Sequence, residues 1–125
     1  MDRTTKYILA VKEYMAKAEH ATNAEVLNSL RIKYPKLSST TVHRITSRLY
    51  ERGELGLAPS GQDNVLRYDV NIKPHDHFMC IKCGMLRDAY LDEKIKPMIE
   101  HAIGDGCSIS GNLTVSGICK VCNKE

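Results

Sequence analysis

The stretch His75-Asp76-His77-Phe78-Met79-Cys80-Ile81-Lys82-Cys83-Gly84 sets two metal-binding chemistries side by side. A Cys-x-x-Cys turn aims two thiolates at one point, and a second pair, Cys119-Lys120-Val121-Cys122, lies near the C-terminus. Two such pairs make the tetrahedral all-sulfur cage that zinc prefers. His75 and His77 alternate at strand period, so both imidazoles fall on one face of an extended chain. Two metals with different jobs are expected. Cys80, Cys83, Cys119 and Cys122 form a closed sulfur site that holds the fold, and the histidines begin an open nitrogen/oxygen site that senses.

Two disulfides in a secreted protein would use the same four cysteines and leave Cys107 over. No apolar signal segment opens the sequence, and no run of about 18 apolar residues could cross a membrane. Reduced thiols, a structural zinc and a cytoplasmic location are therefore expected. Cys107 reads as a small buried residue and His101 as a surface one.

The 125 residues include no Trp and one Phe. Such cores are aliphatic and modest, and a metal staple is what a small core needs. Charge is uneven: residues 1–70 carry 11 Lys/Arg against 8 Asp/Glu, and residues 71–125 carry 7 against 7. The N-terminal excess suits a polyanion, and a solvated basic face would look the same.

Upstream of the metal-ligand block the pattern is helical. Ile8, Val11 and Met15, with Tyr7 and Tyr14, recur at helical spacing over 3–18. Glu19-His20-Ala21 breaks the pattern. Thr22 and Glu25 then read as a capping box. The helix it opens runs to about Lys33, burying Ala24, Val26 or Leu27, and Leu30, and Tyr34-Pro35 ends it. Ser38 or Ser39 caps a third helix, whose buried stripe is Val42, Ile45 and Leu49. Gly53 closes it in the left-handed conformation.

The opposite face of that third helix carries Thr41, His43, Arg44, Ser47 and Arg48. Hydroxyls and arginines there fit the recognition helix of a helix-turn-helix, although an ordinary amphipathic helix has the same pattern. Residues 55–58 and 65–70 flank a polar turn and read as a β-hairpin. Three helices followed by a hairpin make a winged helix, with Arg67 on the wing. Expected DNA contacts are Ser39, Thr40, Thr41, His43, Arg44, Arg48 and Arg67.

Downstream, residues 71–74 read as a hinge. Strands are expected at 78–81 and 85–90, and a helix over 92–103 with Pro97 confined to its start. One or two strands over 107–118, broken at Gly111-Asn112, lead to the second cysteine pair. A unit this small and this poor in large apolar side chains needs zinc and a second copy of itself. The fold class is α+β. Residues 1–70 make a winged-helix DNA-binding domain, and residues 75–125 a small zinc-stapled dimerisation domain.

The order winged helix, His-x-His-x-x-Cys-x-x-Cys-Gly-x-x-x-Asp, terminal Cys-x-x-Cys resembles the ferric uptake regulator (Fur) family, above all its peroxide-responsive branch. The resemblance covers roughly residues 7–123. It implies a homodimeric, metal-activated repressor of double-stranded promoter DNA, with zinc on the four cysteines. It implies a regulatory site of His20, Asp69, His75, His77 and Asp88. Three imidazoles and two carboxylates suit Fe(II) or Mn(II). It also implies that peroxide oxidises His20 or His75 and that DNA is then released.

The chain departs from the family in three ways. It begins late, without the usual basic first helix, which implies weaker DNA affinity. His43 replaces a tyrosine that typically touches a base, which implies a different operator. Pro74 and Asp88 stand where iron-uptake regulators often have His and Glu, which favours the peroxide branch. An iron- or manganese-uptake regulator without peroxide chemistry is the first alternative. A zinc-stapled interaction module that has lost DNA binding is the second. No acid/base pair in a closed cleft is evident, so an enzyme is not expected.

Overall fold

The computed structural model describes residues 3–61, 63–91 and 95–124. The chain divides into two compact units, Met1–Ile72 and Lys73–Glu125. The first contains α1 (Arg3–Ala18), β1 (His20–Thr22), α2 (Asn23–Leu30), α3 (Ser39–Glu51), β2 (Gly56–Ala58) and β3 (Arg67–Asp69).

The helices of the first unit start where the sequence places stop and start signals. Thr22 caps α2 through a reciprocal pair: Glu25 N–H donates to Thr22 Oγ1 at 3.1 Å, and Thr22 N–H donates to Glu25 Oε1 at 2.8 Å. The helix ends at Leu30, short of the expected Lys33. Lys33 and Tyr34 both donate to the Leu30 carbonyl instead, so the chain tightens into turns ahead of Pro35. Ser38 is the cap of α3, its Oγ accepting from Thr41 N–H at 3.1 Å. Gly53 takes φ 76° beyond the helix end, where a side chain would be strained.

Val11, Met15, Ala21, Val26, Leu37, Val42, Ile45, Leu49, Leu55 and Tyr68 form one buried cluster. Each larger aliphatic side chain buried there contributes about 1.5–3 kcal/mol. Of the candidates on α2, Val26 is the buried one, while Leu27 and Leu30 pack at the edge. Antiparallel β2 and β3 make the expected hairpin, and β1 adds to the other side of β3, giving the order β1-β3-β2. The result is a winged helix. Strand β1 was not expected, because three residues are too few to show a period of two.

The second unit contains β4 (Asp76–Cys80), β5 (Leu86–Ala89), α4 (Ile95–Ile103) and β6 (Thr114–Gly117). Its sheet has the order β5-β4-β6, with β4 antiparallel to β5 and parallel to β6. Residues 107–113 form no strand, so only the second half of the expected 107–118 region pairs. The expected helix start at Asp92 lies outside the described residues. From Ile95, Pro97 falls in the first turn, where its missing N–H costs nothing.

Cys107 is a correction: it is exposed, not buried. It leaves α4 through Gly104-Asp105-Gly106, all three in the left-handed region, which turns the chain outward on the surface. His101 is exposed, as expected. Helix α4 buries no residue, and Met98 and Ile103 stand largely in solvent. Among the described residues of this unit, the buried ones are Cys80, Cys119, His75, Asp76 and His77. These buried groups are sulfur and polar side chains, with no large aliphatic residue among them. Among the described residues, no helix is long and apolar enough to cross a membrane.

Candidate metal centres and nucleic-acid face

The parallel pairing of β4 with β6 assembles the sulfur site. Cys80 at the end of β4 is in register with Gly117, and Ile81 N–H donates to the Gly117 carbonyl at 2.8 Å. Cys119 therefore emerges beside Cys80. Each pair then makes the same turn. Cys83 N–H points at Cys80 Sγ and Cys122 N–H at Cys119 Sγ, both at 3.5 Å. Gly84 and Asn123 close the two turns on the carbonyls of Cys80 and Cys119 at 2.9 Å. The two turns are thus near copies of one another.

The donor geometry fits zinc. Cys83 Sγ and Cys119 Sγ lie 3.8 Å apart, and all four sulfurs fall within 4.8 Å of one another. A tetrahedron with Zn–S bonds of about 2.3 Å has an edge of about 3.8 Å. A disulfide needs about 2.05 Å. The protonation behaviour agrees. Amide hydrogen bonds, first from Cys83 and then from Cys119, bring the Cys80 thiol down to about 6. The neighbouring sulfurs, Cys119 first and then Cys83, push Cys122 up to about 12. Four thiolates gathered this closely repel one another, and a bound cation would offset that repulsion.

The second ligand set of this unit sits on β4 and β5. His77 is in direct register with Asp88, and His75 precedes it on the same face. His75 Nε2 lies 3.2 Å and His77 Nε2 3.5 Å from Asp88 Oδ1, and the two rings are 4.4 Å apart. Both imidazoles are buried, while Asp88 keeps its side chain 25% exposed. His75 Nδ1 lies 2.6 Å from the Lys73 carbonyl, so Nδ1 carries the hydrogen and Nε2 keeps its lone pair for a cation. Two imidazoles and a carboxylate converge as a borderline donor set of the kind Fe(II) or Mn(II) accepts.

Asp76, between the two histidines, is the residue that sequence reasoning missed. Its Oδ1 accepts from Leu113 N–H and its Oδ2 from Leu91 N–H, both at 2.9 Å, and Lys96 Nζ approaches Oδ1 at 3.3 Å. Burial alone would raise its pKa, but these donors outweigh it and hold the carboxyl below its ordinary value. One carboxylate thus ties β4 to the segments after β5, before β6 and along α4, and sets the strand that presents His75 and His77. An Asp between two ligands at strand spacing points to the opposite face, which was the available signal.

The first unit places His20 against Asp69. They are direct partners across β1 and β3, with His20 Nε2 3.5 Å from Asp69 Oδ2. Both side chains are almost fully buried. Asp69 divides its oxygens, Oδ1 accepting from Asn71 N–H at 2.9 Å. The unforeseen strand β1 is what turns His20 from a loop residue into the cross-strand neighbour of Asp69. Glu19, in the left-handed region at φ 68°, makes the turn from α1 into that strand.

On α3, Thr40, His43, Arg44, Ser47 and Arg48 line a shallow hollow of about 350 Å³ with Glu51. Ser39, Thr40, His43, Arg44 and Arg48 are exposed, and Thr41 is half-buried. Arg44 and Arg48 also border, with Arg52, a groove of about 250 Å³ against α1. Arg67 is half-buried, and its Nη2 would meet a Cβ added at Gly61 at 2.7 Å, so its guanidinium lies over the wing turn.

A winged helix with an arginine-bearing third helix, followed by a unit with a four-cysteine cage and a His/Asp set, defines a metal-responsive DNA-binding regulator. The model for the ferric uptake regulator family matches residues 3–111. The chain belongs to that family. It is 28% identical over 127 residues to the peroxide-responsive repressor PerR of Staphylococcus epidermidis, covering 98% of this chain and 83% of the relative. It is 30% identical over 105 residues to ferric uptake regulation protein 1 of Mycolicibacterium fortuitum, covering 82% of this chain and 58% of that one. The Helicobacter pylori ferric uptake regulator shares the fold at TM-score 0.75 and 22% identity, over 96% of this chain and 81% of that one. The Campylobacter jejuni peroxide stress regulator does so at TM-score 0.69 and 23% identity, over 96% and 91%.

Proposed function

We propose that the chain is a metal-dependent transcriptional repressor that binds double-stranded promoter DNA as a homodimer. His20, Asp69, His75, His77 and Asp88 together hold one regulatory Fe(II) or Mn(II), and the cation makes the protein competent to bind. The observation that carries this reading is the pair of half-sets. His75, His77 and Asp88 converge at one point on the second sheet, and His20 faces Asp69 on the first. Only residues 70–74 separate Asp69 from His75. A cation taking ligands from both sides of that short hinge restricts the two units to one relative orientation. Two recognition helices held in a dimer must lie about one DNA turn apart, so restricting that orientation raises the binding-competent fraction and hence affinity.

The exposed α4 face of the second unit supplies apolar surface for a second copy. When bound, Fe(II) would supply the reducing equivalents for peroxide, and the family resemblance implies His20 or His75 as the imidazole that would be oxidised. Lys73 orients His75 for that role by fixing its Nδ1–H. Likeness to peroxide-responsive repressors over nearly the whole chain favours this branch.

The test combines binding and mass. Purified protein should shift a promoter duplex with Mn(II), not with chelator, and less at higher salt. His20→Ala and His77→Ala should each lose the Mn(II) response. Mass analysis after Fe(II) and peroxide should find one added oxygen on His20 or His75. Binding that is indifferent to metal and to both substitutions would refute the regulatory site. Metal-dependent binding without added oxygen would assign the protein to metal uptake instead.

A further inference from the structure

Three side chains outside both metal sites form a chain of hydrogen bonds that ends on the recognition helix. Thr46 on α3 is fully buried. Its Oγ1 lies 2.7 Å from Asn23 Oδ1, against 3.1 Å to the Val42 carbonyl and 3.2 Å to the His43 carbonyl. Asn23, the first residue of α2, places its Nδ2 3.3 Å from His43 Nδ1. His43 is exposed on the face read as DNA-contacting.

The lengths favour one direction for each bond. An O–H···O bond is typically about 2.7–2.8 Å, and an amide N–H···O bond about 2.9–3.0 Å. At 2.7 Å the Thr46 hydroxyl is donating to the Asn23 amide oxygen. The reversed amide would put an N–H donor at that short distance. With its oxygen on Thr46, the amide turns its nitrogen to His43. That nitrogen has only hydrogens to offer, so Nδ1 must be an acceptor. A neutral imidazole that accepts at Nδ1 carries its hydrogen on Nε2.

We propose that Asn23, oriented by Thr46, holds His43 in the Nε2–H tautomer and thereby makes it a hydrogen-bond donor that selects a base bearing an exposed acceptor. In the major groove those acceptors are guanine O6 or N7, adenine N7 and thymine O4, whereas cytosine offers only a donor. Asn23 and Thr46 are positioning residues; His43 touches the base. The inference rests on α3 being the element that reads DNA, and it names what one position of that helix selects.

Two measurements test it on the full-length, metal-loaded protein. Long-range proton–nitrogen spectra of the His43 ring should show Nε2 protonated and Nδ1 bare in the wild type. In Asn23→Ala and in the near-isosteric Thr46→Val, the two tautomers should mix. Selection from a randomised duplex library with Mn(II) should show one base position whose preference vanishes in His43→Ala. At that same position Asn23→Ala and Thr46→Val should lose up to about twofold in discrimination, because an even mixture of tautomers halves the population of the donor form. A Nδ1–H tautomer in the wild type overturns the inference. So does an unchanged tautomer and unchanged selection in Asn23→Ala. If the wild type selects no sequence while its ring shows the expected tautomer, the failure lies with the proposed function.

Discussion

Replacing Asp76 by alanine should remove most of what keeps the second unit folded. The carboxylate is buried and accepts two amide hydrogens at 2.9 Å, from Leu91 and Leu113. Hydrogen bonds to a charged group contribute roughly 1.5–3 kcal/mol each. The Lys96 ammonium is partly exposed, and adds no more than about 1 kcal/mol. The expected loss is therefore about 3–7 kcal/mol. A domain of about 50 residues has a total stability of roughly 3–8 kcal/mol, so the two are comparable. Asp76→Asn should be nearly as damaging, because its NH2 group would face one of the two amide donors.

Urea unfolding followed by circular dichroism, at fixed protein and zinc concentration, measures the difference. The pH dependence has a definite sign. The folded carboxyl titrates below its ordinary 3.8. Its contribution is then complete above that value and disappears as pH falls through the lower folded value. The gap between wild type and Asp76→Ala should be full at neutral pH and begin to close only below about pH 4. A neutral-pH gap under about 1 kcal/mol would refute the central role given to this carboxylate.

Cys122→Ser should abolish stoichiometric zinc and melt the second unit, since structural zinc contributes about 10–16 kcal/mol of binding free energy in small domains; elemental analysis with circular dichroism decides it. Glu19→Gly should stabilise the first unit by up to about 1 kcal/mol, because Glu19 is held in the left-handed region at φ 68°. A lower urea midpoint would contradict that. Arg48→Ala should weaken binding to all duplexes alike and reduce the slope of log affinity against log salt by about one, if Arg48 neutralises a single phosphate. A change confined to one base position would show that it reads sequence instead.

Much of the site was legible because its information is local. Cys-x-x-Cys fixes a turn within four residues, and His-x-His fixes a shared face within three. The capping box at Thr22 and the cap at Ser38 are likewise contained in one helical turn. Family likeness pointed to His20, Asp69 and Asp88, but no pattern around those residues distinguishes a ligand from a surface group. Asp76 was overlooked for a related reason: its partners, Leu91 and Leu113, lie 15 and 37 residues away. Cys107 was misread because burial depends on where a turn directs the chain, not on how apolar the residue is.

The amino-acid order by itself determined the helices, the two cysteine turns and the face shared by His75 and His77, since each follows from repeat spacing and short-range hydrogen bonding. Tertiary structure decided the rest. Pairing β1 with β3 set His20 opposite Asp69, parallel pairing of β4 with β6 joined the two cysteine turns, and packing α2 on α3 brought Asn23 to His43. Those pairings join residues 20 or more positions apart. Their register is chosen by which faces can be buried together, a property of the assembled chain that no short window of residues contains.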